Sequence, residues 1–312
     1  MNSAASTQAL VGVSEEPVVQ KVPSIATVIV THNRKELLVR CLEAVLGQSR
    51  RVDKVIVIDN CSTDGTPDAL RALGFIDRRE VEYVRLGENL GSSGGFYEGM
   101  KRAYADGFDW LWIMDDDCLP AKESLEHLSF AAKSAPHSIY GPRNIDADTG
   151  GDVWYRWPAQ ETGIMPVRSV AFNGLFIPRA VVTAAGLPFR DLRICADDVE
   201  YCQRARAKGY KAVIVRRAVV YHPNPTMFLW GSVAGRPLLT YPKYRSPERA
   251  YYHLRNWTYV LLRHWRIFGK FASVAQLRIM ACLVCSGQIA PRLAFKAVVD
   301  GVRLLSANEQ RD

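Results

Sequence analysis

Three consecutive carboxylates, Asp115-Asp116-Asp117, stand directly behind the apolar run WLWIM at 110–114. Crowded carboxylates repel and raise one another's pKa unless a cation sits among them. A hard divalent ion is the matching partner, because Mg2+ and Mn2+ take oxygen ligands and are commonly shared with substrate phosphates. A second acidic group, Asp197-Asp198 with Glu200, opens an expected helix over 199–208, a place where acids also serve as ordinary caps and dipole partners. His222, in Tyr221-His222-Pro223 after a β-branched run, offers an imidazole that could join carboxylates on a metal. Together these residues are the parts of a metal-assisted group transfer, with a cation to neutralise a leaving group and one carboxylate left over as general base. The Gly-rich stretch NLGSSGG at 89–95 lies between an expected strand and an expected helix, where backbone N–H groups can approach an anion. No Gly-Lys-Ser/Thr follows it, so it is not a P-loop, and its glycines follow the third strand instead of the first, which disfavours a dinucleotide site. Cys282 and Cys285 form a single CxxC without a second pair, and neither metal nor redox chemistry is expected there.

These groups need a frame, and the first half of the chain spells one out. Residues 25–31 (IATVIVT) form a β-branched run, followed by helix-compatible 35–47 with Leu37, Leu38, Cys41, Val45 and Leu46 at helical spacing. A second strand is expected over 55–59 (VIVID), ending in the turn-rich NCSTDGT at 60–66, whose Asp64 can cap the next helix. A third strand over 81–86, a helix through Ala105 and a fourth strand over 110–114 follow. Strands alternating with helices predict an α/β fold with a parallel sheet, whose ligands sit beyond the strands' carboxyl ends where strand order reverses. After Pro120 the pattern loosens: a helix is expected from about Lys122, 141–166 has no clean period, and strands are expected at 172–178 and 213–221. From Tyr251 an aromatic stripe begins, with Leu254, Trp257, Leu261, Trp265 and Phe268 at steps of three and four.

The 312 residues, 48% hydrophobic and 23% charged, suit one large domain or one domain with an appendage, not a disordered, collagenous or disulfide-built chain. Apolar runs fall short of the roughly 18 to 20 residues of a membrane span, and residues 1–20 lack the features of a secretion signal. Seven scattered cysteines suit free thiols in a reducing compartment, so a cytoplasmic location is expected. The net charge of +8 is divided unevenly, with 19 Lys and Arg against four acids from Tyr201 onward and 21 against 28 before it. That basic back half is a candidate surface for phosphates, nucleic acid or anionic lipid, or simply a solvated basic face.

Five ordered motifs, IVTHNR (29–34), VIDNCSTDGT (57–66), NLGSSGG, MDDDC (114–118) and ADDVEY (196–201), resemble those of glycosyltransferase family 2, the inverting sugar transferases of GT-A fold. The combination of Gly-rich loop, acid triplet and late His-Pro is most similar to that family's galactofuranosyltransferases. The resemblance implies a Rossmann-like, mixed but mainly parallel sheet flanked by helices, with a C-terminal helical extension. It divides the chain into a lead at 1–23, a transferase domain at 24–236 and a basic amphipathic helical region at 237–312. Thr31, Arg34, Asp59, Asn89 and Gly91 would then face the nucleotide-sugar donor, with Asp116 near its ribose. Asp115, Asp117 and His222 would hold Mn2+ or Mg2+ on the diphosphate. Asp198 would take a proton from the acceptor hydroxyl as its oxygen attacks the anomeric carbon from the face opposite the diphosphate, inverting configuration in one displacement.

The implied donor is UDP-galactofuranose, and the implied acceptor a polyprenyl-diphosphate-linked rhamnosyl-N-acetylglucosamine on which cell-wall galactan is begun. Asn173 and Asp197 are expected on the acceptor side. The polymerising members of the family carry two tryptophans where this chain has Leu175-Phe176, so Trp154 and Trp157 are either a substitute sugar-stacking surface or part of a small core. A dTDP-rhamnose-dependent rhamnosyltransferase and a non-catalytic sugar-nucleotide-binding subunit are the alternatives, while the acidic motifs disfavour nucleic acid. The nine Lys and Arg between Arg249 and Arg303, set against Asp300 alone, suit an interfacial helix on anionic lipid at the inner face of the plasma membrane. A helical pair packed on the transferase domain, or a homo-oligomer interface, would use the same residues.

Overall fold

The computed structural model describes residues 22–135, 137–153, 163–223, 227–233, 236–244, 246–264 and 269–309. Its first half is a run of βα units: β1 (Ile25–Thr31), α1 (Lys35–Leu46), β2 (Lys54–Asp59), α2 (Thr66–Ala72), β3 (Val81–Arg85), α3 (Gly91–Ala105) and β4 (Trp110–Asp115). All seven residues of β1 are buried, which is why its sequence is a continuous apolar and β-branched run instead of an alternating one. There follow β5 (Leu119–Pro120), α4 (Ser124–Ser134), β6 (Ser138–Ile145), β7 (Ile164–Val167), β8 (Leu175–Pro178), α5 (Arg179–Ala185), α6 (Asp197–Ala207) and β9 (Lys211–Tyr221). The chain continues through β10 (Met227–Val233), β11 (Arg236–Pro242), α7 (Pro247–His264), α8 (Gly269–Cys285) and α9 (Pro291–Glu309).

The strands lie in the order β3-β2-β1-β4-β8-β6-β9-β5, with β7 on β9. Strands β1 to β4 are parallel, whereas β8 runs antiparallel to both β4 and β6. The sheet is therefore mixed, parallel from β3 to β4 and with antiparallel β8 and β5 on the other side, where β6 and β9 are parallel to each other. Successive residues of its strands feed two cores. Ile25, Ile29, Trp112 and Met114 pack with Leu38, Leu42 and Leu125 from α1 and α4. Val28, Ile56 and Ile113 pack on the opposite face with Phe96, Met100 and Tyr201 from α3 and α6. Helices thus cover both faces, as a mainly parallel sheet requires.

Several expectations shift. The helix after Pro120 starts at Ser124, because β5 intervenes and pairs with β9. The strand expected from 172 begins at Leu175, after Gly174 takes φ 102°, a left-handed conformation that interrupts extended backbone. The expected boundary at 236/237 falls inside β11, whose ladder to β10 pairs Val233 with Arg236 and Ser232 with Pro237. Helix α7 buries Asn256, Thr258, Tyr259 and Val260 as well as Leu254 and Leu261, so it is packed on several sides and its stripe is not a single exposed face. Trp265 and Phe268 lie outside the described residues. No described helix is long and apolar enough to cross a membrane, and all seven cysteines are free.

Candidate active site

Strand order reverses between β1 and β4, and the residues picked out by the sequence meet there. In the register of the sheet Thr31 lies beside Asp59, and Val30 beside Asp115, so three strand ends stop at one level. Unusual backbone gathers here: the non-glycine residues of positive φ among those described are Asn33 and Cys61, just beyond β1 and β2, and Arg193, Cys195 and Ala196 in the turn before α6. Such conformations persist where the surroundings over-determine them, and they concentrate at functional sites.

The three aspartates behave differently although they are adjacent. Asp116 is buried and accepts a hydrogen bond from Thr31 Oγ1 (2.7 Å), while Arg34 Nη1 reaches both Asp116 Oδ1 (3.0 Å) and Asp117 Oδ2 (2.8 Å). Burial, reinforced by the charges of Asp117 and Asp116, pushes the Asp115 carboxyl well above the usual range. Burial also raises Asp116, against the opposing pull of Arg34 and Thr31. For Asp117 burial is outweighed by the facing His222 ring and by Arg34, so this carboxyl stays below the usual range and ionised. His222 Nε2 lies 3.3 Å from Asp117 Oδ1. That oxygen is buried and faces the His222 ring, and it is otherwise without a partner among the described residues, so a lone pair is available to a cation. Asp117, His222 and the Cys118 thiol place one ligand atom each within 4.8 Å of one another, a set that does not include Asp115. The Cys118 thiol, held well above its usual pKa by burial and by Asp117 and Asp115, is a poor partner for a hard ion. Oxygen and imidazole donors with an ionised carboxylate fit Mn2+ or Mg2+.

The second acidic pair lies near the triplet, since the Asp197 charge adds to the rise at Asp115. Both residues occupy the first turn of α6, where the exposed N–H groups favour anions. Asp197 is buried, and its Oδ2 accepts from Ser93 Oγ (2.9 Å) and Ser92 Oγ (3.2 Å) of the Gly-rich loop. Asp198 is half-buried, and its Oδ1 accepts from the Val199 N–H (2.7 Å). Burial, together with the charge of Asp197, pushes its carboxyl up to about 7. A base poised near neutrality matches proton affinity to the operating pH.

The Gly-rich loop has a packing reason as well as a chemical one. Gly91 takes φ 76°, and a Cβ there would lie 2.1 Å from the Arg193 carbonyl oxygen. Asn89 Oδ1 accepts from the Gly91 N–H (2.8 Å), turning the loop into α3. Asn60, which sequence reasoning missed, donates from Nδ2 to the Gly91 carbonyl (3.1 Å) and accepts from the Leu90 N–H (3.2 Å), tying the end of β2 to this loop. The signal was its place directly after Asp59 at a strand's carboxyl end. Asp64 touches two helices, accepting from the backbone N–H of Lys35 and of Thr66, the first residues of α1 and α2.

Other expected site residues take different places. Asp59 is fully buried and occupied, accepting from the Ser62 N–H (2.8 Å) and the Tyr83 hydroxyl, so it does not present a free carboxylate to the cleft. The Asn173 carbonyl accepts from Asn144 Nδ2 (3.0 Å) while the residue itself is buried. Leu175 and Phe176 are core residues of β8, and Phe176 stacks on Trp110 with centroids 4.6 Å apart. Trp154 and Trp157 lie outside the described residues.

Residues 26–184 match the model of glycosyl transferase family 2. The galactofuranosyltransferase GlfT1 of Mycolicibacterium smegmatis is 30% identical over 255 residues, covering 76% of this chain and 82% of that protein. GlfT1 of Mycobacterium tuberculosis is 30% identical over 279 residues, covering 81% and 90%. Among solved structures, GalNAc-T7 with UDP, GalNAc and Mn2+ superposes with a TM-score of 0.61 at 17% identity, covering 78% of this chain and 49% of that one. The S. aureus TarS fragment 1-349 with UDP gives 0.56 at 13% identity, covering 93% and 92%. The fold is GT-A, with four of the five motifs beyond strand ends and the fifth opening α6; the chain belongs to glycosyltransferase family 2.

Proposed function

We propose that this glycosyltransferase moves galactofuranose from UDP-galactofuranose to a polyprenyl-diphosphate-linked rhamnosyl-N-acetylglucosamine, with inversion. The observation that carries the chemistry is Asp198, a half-buried carboxyl poised near 7 at the N-terminus of α6, together with an acid triplet whose Asp117 stays ionised. The choice of sugar and acceptor rests on similarity to the mycobacterial galactofuranosyltransferases over most of the chain.

In this reading Asp198 accepts the proton of the acceptor hydroxyl while that oxygen forms a bond to the anomeric carbon. The bond from that carbon to the diphosphate oxygen breaks, its electrons leave with UDP, and configuration inverts. Asp117 and His222, with Asp115 beside them, would hold a divalent cation, which when bound neutralises charge on the departing diphosphate. Thr31 and Arg34 orient Asp116, and Asn60 and Asn89 shape the Gly-rich loop around the donor. Asp59 is held by the Tyr83 hydroxyl and the Ser62 N–H at the end of β2, beneath the nucleotide in this proposal.

The same reading places the enzyme on the inner face of a membrane. Its support is Arg292, Phe295, Lys296, Val302 and Arg303, which share one face of α9, where Phe295 and Val302 are exposed.

The test is transfer from UDP-galactofuranose to a synthetic lipid-linked rhamnosyl-N-acetylglucosamine with Mg2+, Mn2+ or EDTA, products read by mass. Addition of one or two hexoses, abolished by EDTA, is the expected outcome. Transfer from dTDP-rhamnose instead would make the chain a rhamnosyltransferase, and binding of UDP without turnover of any donor would leave a sugar-nucleotide-binding subunit.

A further inference from the structure

The turn that presents the second acidic pair is the most strained backbone among the described residues. Arg193, Cys195 and Ala196 take φ of 64°, 70° and 61°, and none is glycine. Left-handed backbone is costly for residues with a Cβ, so something must hold it. Ser93 holds one side, donating its N–H to the Arg193 carbonyl (3.1 Å). The other side is held from a helix that lies 60 residues further along the chain and beyond the family match. Asn256 of α7 is fully buried, and its Nδ2 points at the carbonyl oxygens of Leu192 (2.7 Å), Ile194 (2.7 Å) and Cys195 (2.9 Å). The amide is oriented by Arg255, whose Nε donates to Asn256 Oδ1 (2.8 Å) and whose Nη2 reaches the Asp191 and Leu192 carbonyls (2.6 and 3.1 Å). An amide with its oxygen occupied this way has only its two N–H bonds for the turn, so it suits a row of carbonyls and nothing else. Further along, the His264 ring stands 3.7 Å from Glu200 on α6 itself.

We propose that Asn256, seated by Arg255, is a positioning residue for sugar transfer: α7 belongs to the active site, fixing the turn that aims Asp197 and Asp198. This rests on Asp198 being the general base. Asn256 touches neither substrate nor reacting atoms, and it acts by holding three carbonyl groups in one orientation.

The experiment uses the full chain and four variants: Asn256→Ala, Asp198→Asn, the two combined, and Gln276→Ala. Gln276 is the control, since its buried Nε2 donates to the Leu254 carbonyl (2.9 Å) of the same helix and touches no part of the turn. Asn256→Ala is expected to lower kcat at least tenfold with donor KM and UDP affinity within about twofold. It should also speed amide hydrogen exchange over 193–199 while β1 and β4 keep their protection. Gln276→Ala should lower Tm while kcat stays within about twofold. Because Asn256 works through Asp198, the double variant should be no slower than Asp198→Asn alone. Unchanged exchange over 193–199 in Asn256→Ala, or an equal loss of kcat in Gln276→Ala, would overturn the proposal. Wild-type turnover by Asp198→Asn would instead remove the base assignment, and the exchange result would still decide the clamp. Should Asn256→Ala not fold, Arg255→Met removes the seating contacts and must move kcat and exchange in the same directions.

Discussion

At the scale of single residues the site separates carboxylates by environment. Asp198 is raised to about 7 and Asp117 is lowered, the separation expected of a proton acceptor and a cation ligand. Asp198→Asn should leave UDP affinity nearly unchanged and cut kcat by on the order of 10² or more, read by steady-state kinetics. The sign of the pH dependence follows: only the ionised base accepts a proton, so kcat should fall as pH drops through about 7 and level off above it. That inflection should be absent from the residual activity of Asp198→Asn. Asp117→Ala and His222→Ala should weaken metal-dependent UDP binding, measured by calorimetry with and without Mn2+, and unchanged titrations in both would count against the cation site.

At the scale of elements, the site depends on two loops pressed together, Gly91–Ser93 against Arg193–Asp197. Gly91→Ala meets both a φ of 76° and a carbonyl oxygen 2.1 Å from the new Cβ, so it should cost about 1–3 kcal/mol and lower Tm in a thermal melt. The sequence announced β1 to β4 because strands covered on both faces are continuous β-branched runs, and their loops carry motifs at the strand ends. Residue type and motif order singled out Asp198, Asp117 and His222, and the fold brings Asp117 within 3.3 Å of His222. The sequence did not announce that Ser92 and Ser93 would bond Asp197, or Asn256 the turn before it, since these partners lie about 60 to 105 residues apart and side-chain pairing leaves no local period. In the second half of the sheet β8 and β9 were legible as strands, whereas β5 with two residues and β7 with four are too short for a pattern to register.

At the scale of the whole molecule, the uneven charge acquires a location. Phe295 and Val302 on α9 and Val274 and Leu277 on α8 are exposed, with Arg292, Lys296 and Arg303 beside the first two. Flotation with vesicles containing anionic lipid should recover the chain at low salt and lose it at high salt, each basic residue near the surface contributing about 1 kcal/mol. Phe295→Asp combined with Val302→Asp should weaken that recovery at least tenfold while kcat on a soluble acceptor is kept. Removing the helices altogether would be a poor test, since α7 holds the turn before Asp197. That last contact also orders events in time. During synthesis at roughly 5–20 residues per second, every motif that handles donor, cation and proton leaves the ribosome before Asn256 does. On the proposal made above, a nascent chain carries the reactive groups before the part that aims them, and sugar transfer should begin only once α7 has docked.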